Sequence, residues 1–136
     1  AIEYQGRLVG QLTVGGIAWG SLRGAYIGYW IDSAVAGRGI TPTAVAMACD
    51  HCFESMLMHR IEVNIRPENA ASIRVAEKLG LRLEGDRPRY LHIDGDWRDH
   101  RTYVLVRGEV REGATWPLRR GSPESTTRGV LGRSFP

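Results

Sequence analysis

The stretch from Ala25 to Phe53 constrains this chain most, because its side-chain period changes once across a turn holding two glycines. Ala25-Tyr26-Ile27-Gly28-Tyr29-Trp30-Ile31 is aromatic and β-branched, which predicts a strand. Val35-Ala36-Gly37-Arg38-Gly39-Ile40-Thr41 follows. Pro42 then stands at a helix start, where its missing N–H is tolerated, with Thr41 as the expected N-cap. Ala44, Val45, Met47, Ala48, Cys52, Phe53 and Met56 recur at helical spacing. The chain therefore switches from strand to helix through a glycine turn.

The same patterns extend along the chain. Residues 1–6 and 7–19 predict two strands joined at Gln5-Gly6, with a bulge at Gly15-Gly16. Residues 20–24 predict a loop. Residues 60–66 alternate strictly, as a strand does, and Pro67 ends them. Asn69 is the expected cap of a helix over 70–79, with Ile73, Ala76 and Leu79 on its apolar face and Gly80 just past its end. Strands are expected at about 81–85, 88–94 and 97–107, with Asp94-Gly95 as a hairpin turn. The order is β-β-β-α-β-α-β-β. From Gly108 to Pro136 the periodicity disappears and Gly, Ser, Thr, Pro and Arg dominate. An irregular basic tail is expected there, whose arginines would face solvent. Residues 1–107 form the expected domain.

Composition narrows the class. A chain of 136 residues with 43% hydrophobic content can bury one core. No apolar run reaches the roughly 18 residues that cross a bilayer. The opening Ala1-Ile2-Glu3-Tyr4 has no leader pattern, so a cytoplasmic protein without membrane contact is expected. Net charge is +3, and Lys78 is the one lysine among 18 basic residues. The basic residues do not cluster with aromatics, so a nucleic-acid partner is not expected. Cys49 and Cys52 have metal-like spacing but no second ligand pair at matching distance. They lie within a predicted helix, and packing thiols are expected, with no metal.

The turn itself permits chemistry. Gly37 and Gly39 lack a Cβ, so backbone N–H groups can approach a ligand. The helix behind adds free N–H groups and its positive dipole end, which suits a pyrophosphate. Arg38 and Arg74 could add charge. The same glycines also suit an ordinary strand-to-helix turn, so spacing alone leaves both readings open. The dinucleotide fingerprint and the Walker A loop are excluded, since neither GxGxxG nor Gly-Lys-Ser/Thr occurs.

A series of segments then points to a family. Gly-Tyr-Trp-Ile-Asp, Ala-Gly-Arg-Gly-Ile-Thr, Arg-Ile-Glu-Val-Asn, Pro-Glu-Asn-Ala-Ala-Ser, Glu-Lys-Leu-Gly-Leu and Leu-Glu-Gly follow in order. Residues 1–107 resemble the GNAT N-acetyltransferase superfamily, and within it the RimJ/RimL-type ribosomal-protein N-terminal acetyltransferases. The resemblance implies an α/β (α+β) fold with a mixed, mostly antiparallel sheet flanked by helices. It also implies a strand and two helices ahead of Ala1, which these residues lack and which form one wall of the acceptor groove in the family. Acetyl-CoA is the implied acetyl donor. The acceptor is a primary amine, first a protein N-terminus of the Ser/Ala type and alternatively a small amine. A non-catalytic acyl-CoA-binding module and a homodimer are also compatible.

Site roles follow from the resemblance residue by residue. Val35, Ala36, Gly37, Arg38, Gly39, Ile40 and Thr41 match the turn that holds the CoA pyrophosphate. Ala36 and Thr41 depart from the family pattern there. Ile31 matches the strand that pairs with the pantetheine arm, and Asn64 and Asn69 match positions that bond it. Glu62 matches a general base that works through water, and Ser72 matches a proton donor to the leaving thiol. Both have plainer alternatives, a solvent-facing strand carboxylate and a first-turn serine bonded to backbone. The RimL-type base position falls on Leu91, with Tyr90 and His92 as neighbouring substitutes. His51, His59 and His100 are expected to be structural or on the surface.

Overall fold

The structure is a computed structural model and describes residues 1–109. Six strands make one sheet, in the order β1-β2-β3-β4-β6-β5. They are β1 (Ile2–Tyr4), β2 (Arg7–Ala18), β3 (Gly24–Ile31), β4 (Arg60–Ile65), β5 (Arg82–Ile93) and β6 (Asp96–Val106). Two helices, α1 (Ile40–Glu54) and α2 (Ala70–Lys78), flank it. Element order and sheet type agree with the expectation. All strand pairs are antiparallel except β3 with β4. The α1 crossover is what lets those two run parallel, since a hairpin cannot.

The alternation of the strands divides the sheet into two faces. One carries Leu12, Val14, Ile27, Ile61, Val63, Ile65 and Leu105, all buried beneath the helices. Ile61 and Leu105 are register partners there, as are Val14 and Ile27. The opposite face carries Gln11, Thr13, Tyr26, Trp30, Glu62 and Asn64, and on it Tyr26 and Trp30 are exposed. Helix α1 is buried over most of its surface, including Cys49 and Cys52. Burial pushes the Cys52 thiol up to about 11 and raises the Cys49 thiol further, so these are packing thiols. Helix α2 buries only Ala76 within its span, with Leu79 just beyond it.

The turns follow their local chemistry. Gln5 and Gly6, and again Asp94 and Gly95, have positive φ, as two-residue hairpins require. Gly80 closes α2 at φ +77, where its N–H bonds the Glu77 carbonyl and the Leu81 N–H bonds that of Ala76. This is the Schellman arrangement.

Three local expectations need correction. The N-cap of α1 is Gly39, at φ 76, so Thr41 and Pro42 lie inside the first turn. Ile40 is already buried and helical there, and a left-handed glycine makes the entry without a side-chain cap. The strands expected at 81–85 and 88–94 are one strand, β5, with register shifts at Leu83/Gly85 and Arg87/Leu91. Arg89 absorbs the second at φ 50, so Pro88 bends the strand without ending it. Gly24 opens β3 instead of closing a loop. Most of the expected tail lies outside the described residues.

Candidate active site

The parallel pair creates the site. β3 and β4 pair only at Gly24 with Arg60, Ala25 with Ile61 and Tyr26 with Glu62. Beyond that rung β3 stays with β2 as far as Ile31, while β4 stays with β6 as far as Ile65. The strands therefore diverge, and the β4-facing edge of β3 from Ile27 to Ile31 has no strand partner among the described residues. An unpaired strand edge of this kind offers N–H and C=O groups to an extended ligand.

The glycine turn lies at the open end. Asp32 caps a single 3-10 turn over Ser33–Val35 by accepting from the Ala34 N–H at 2.9 Å. The Val35 and Ala36 N–H groups are used in that turn. From Gly37 to Thr41, five consecutive N–H groups have no partner among the described residues. The first helical bond of α1 is from the Thr43 N–H to the Gly39 carbonyl, at 3.3 Å. Gly37 and Gly39 have φ +81 and +76, and a Cβ at either would meet no atom within 4 Å. Alternating backbone of this kind at a helix N-terminus concentrates donors on one anion.

Edge and turn open into one cavity of about 560 Å³. Ile31, Ala36, Gly37, Gly39, Thr41, Asn69 and Ser72 line it. So do Tyr29, Trp30 and, from α2, Arg74, Val75 and Lys78. Among the described residues no carboxylate lines it, and the charged side chains that do are cations. Asn69 caps α2 by accepting from the Ser72 N–H at 3.2 Å. The Ser72 backbone N–H and carbonyl are both bonded, to Asn69 and Tyr29. Tyr29 donates to the Ser72 carbonyl at 3.4 Å, and burial raises its phenol above the ordinary range.

Other expected residues lie elsewhere. Val35, Arg38 and Ile40 are in the turn but do not line the cavity. Asn64 does not line it either, because it projects to the opposite sheet face and accepts from the Thr102 hydroxyl at 2.7 Å. Glu62 occupies the last paired rung and lines a second cavity of about 280 Å³ with Tyr26, Arg60, Leu22 and Tyr90. Its Oε1 accepts from Arg60 at 2.7 Å and from Arg87 at 3.1 Å. Arg60 also pairs with Glu84, at 2.6 Å. Glu62 is thus an anchored carboxylate at the closed end of the cleft, not a free surface one. His100 is buried, with Nδ1 at 3.0 Å from the Arg98 carbonyl, and His92 packs edge-on against Trp97.

Sequence reasoning missed Tyr29, Trp30, Val75 and Lys78. The helical spacing of Ala71, Val75 and Lys78 could have found the last two, since i and i+4 share a face. Nothing in the sequence says which β3 side chains border a cleft, because the divergence is a property of strand pairing.

Comparisons with known proteins agree with this geometry. A sequence model of the acetyltransferase (GNAT) domain matches residues 1–82. The chain is 38% identical over 100 residues to the probable N-acetyltransferase YjcK of Bacillus subtilis, covering 74% of this chain and 55% of that protein. It is 33% identical over 93 residues to the [ribosomal protein uS5]-alanine N-acetyltransferase of Escherichia coli, covering 68% and 48%. The chain spans about half the length of these relatives. The structure of Mycobacterium smegmatis RimJ in complex with CoA-disulfide superposes with a TM-score of 0.79 at 44% identity, over 88% of this chain and 57% of that one. With a matching domain model, these relatives and this structural likeness, the chain belongs to the GNAT acetyltransferase family.

Proposed function

We propose that this chain carries the donor-binding and catalytic part of an acetyl-CoA-dependent N-acetyltransferase. The acceptor is a primary amine, and specifically the N-terminal amine of a protein, as in the ribosomal-protein enzymes that the chain resembles. One observation carries this reading: a turn whose N–H groups lack partners among the described residues, and of which Gly37, Gly39 and Thr41 line the cavity, shares one cation-lined cavity with the unpaired strand edge at Tyr29 to Ile31. A CoA thioester needs all three, an anion cradle for its pyrophosphate, backbone partners for its amide arm, and a channel ending near the acceptor. The two buried, unjoined cysteines support a cytoplasmic setting.

The residues divide the chemistry. The N–H groups of Gly37 to Thr41 hold the pyrophosphate, with Arg74 and Lys78 as flanking charge. Ile31 and its strand hold the arm, with Asn69 beside it. The acceptor nitrogen attacks the thioester carbonyl from the Glu62 side, and Glu62 takes its proton through a water. The carbon–sulfur bond then breaks, and the Ser72 hydroxyl passes a proton to the leaving sulfur while taking one from water. Mixing the protein with acetyl-CoA and a panel of peptides and small amines, and following free thiol, tests the reading. Turnover on Ser- or Ala-initiated peptides is expected, with Glu62→Gln slowing it and leaving acetyl-CoA affinity near wild type. Tight acetyl-CoA binding with no turnover on any amine would make this a binding module instead.

A further inference from the structure

The bulge in β2 has a consequence at Glu62. A Cβ on Gly15 would lie 2.6 Å from Cζ and Oη of Tyr26, and one on Gly16 would lie 2.7 Å from Cδ1 and Cε1. Real side chains do not approach so closely, so two successive glycines leave the space that the Tyr26 ring fills. Gly16 also has φ +56, and the β2–β3 register shifts between Gly15 and Ala18. The bulge therefore seats one ring. That ring is half exposed, stands in register with Glu62 on the last rung, and lines the 280 Å³ cavity with it. The cavity also takes Tyr90, whose ring lies 4.7 Å from the Arg87 guanidinium that bonds Glu62. Two phenol rings thus border one carboxylate, and each is held by a separate device.

We propose that Tyr26 determines which acceptor amine is used, an inference that rests on Glu62 standing at the acceptor end of the cleft. An amine entering this cavity has Glu62 for its charge and the Tyr26 ring against its first carbon atoms. The glycine seat keeps the ring where it limits width, so the site takes primary amines on a slender chain, such as a peptide beginning with Ala. A peptide beginning with Phe is excluded by the ring.

The test compares kcat/KM for two peptides that differ only in an N-terminal Ala or Phe, with the acetyl-CoA Kd measured for each variant. Wild type is expected to favour Ala. Tyr26→Ala should shift the Phe/Ala ratio toward Phe by about tenfold or more, and Tyr26→Phe should keep the wild-type ratio. Gly15→Ala retains the tyrosine but displaces it, so it should also move the ratio without large change in acetyl-CoA Kd, and it serves if Tyr26→Ala fails to fold. An unchanged ratio in Gly15→Ala and Tyr26→Ala, with Glu62→Gln slowing the reaction, overturns the Tyr26 proposal alone. If Glu62→Gln is also without effect, or wild type acetylates neither peptide, the placement of the acceptor at Glu62 falls and the proposal falls with it.

Discussion

The Tyr29 phenol donates to the Ser72 carbonyl across 3.4 Å, tying the unpaired stretch of β3 to the first turn of α2. This link spans the cleft between a strand and a helix that are 43 residues apart in sequence. It holds the end of α2 that carries the Asn69 cap and Ser72, both of which line the cavity. Tyr29→Phe keeps the ring and removes the bond. Loss of one long hydrogen bond should destabilise the fold by about 1 kcal/mol or less, measured by urea unfolding. Turnover should fall more than acetyl-CoA affinity, because Ser72 loses its fixed position. Equal loss of both would show that the link serves binding alone.

The turn makes a separate prediction. A Cβ at Gly39 would meet nothing, so space does not forbid it, but φ +76 does disfavour it. Gly39→Ala should cost about 1 kcal/mol of stability, while Gly39→Trp should also obstruct the cradle and abolish acetyl-CoA binding. Calorimetric titration beside a melting curve separates the two effects. Unchanged affinity in a folded Gly39→Trp protein would remove the turn from the site.

Arg74 and Lys78 are one helical turn apart and both line the main cavity, which among the described residues has no carboxylate. Their contribution to an anionic ligand is electrostatic and falls with added salt. The Arg74→Ala, Lys78→Met double variant should bind acetyl-CoA about tenfold or more weakly, with a shallower dependence of Kd on salt. An affinity and salt slope equal to wild type would place the phosphates elsewhere.

The network around Arg60 predicts acid sensitivity. Hydrogen bonding from Arg60 holds the Glu84 carboxyl below its ordinary value of 4.5. A carboxyl depressed in the folded state stabilises the protein above its unfolded value, and that stability is lost as pH falls through the folded value. Melting temperature should therefore drop on acidification below about 4.5, and Glu84→Gln should flatten that part of the curve. A Glu84→Gln curve as steep as wild type would assign the acid loss to other groups.

The buried thiols give the opposite limb. Burial raises Cys52 from 9.0 to about 11, so the unfolded chain loses its proton first. That stabilisation is complete below 9.0 and disappears as pH rises to about 11. Cys52→Ala should weaken the alkaline dependence, and a thiol reagent at pH 8 should label neither cysteine before unfolding. Rapid labelling of the folded protein would contradict their burial.

Much of this was legible beforehand, for local reasons. Period placed both helices, cap chemistry placed the start of α2 at Asn69, and turn residues placed the Gln5-Gly6 and Asp94-Gly95 hairpins. They also placed the Gly15-Gly16 bulge and the close of α2 at Gly80. Each depends on residues within a few positions of one another. The helix cap at Gly39 was misjudged because Thr41-Pro42 is an equally good local start, and the burial of Ile40 and Thr41 decides between them. The single strand β5 was read as two because Pro88 is a local breaker, while pairing with β6 carries the chain past it.

For the site, the sequence alone marked the glycine turn and the Asn69 cap, which are matters of residue type in a local frame, while the candidate pair Glu62 and Ser72 came from the family resemblance. Only the tertiary structure decided that β3 leaves β4 after its third rung, at Tyr26 and Glu62, that Asn64 turns away to Thr102, and that Glu62 is clamped between Arg60 and Arg87. Strand divergence and ion pairing depend on groups far apart in the chain, and no local period records them.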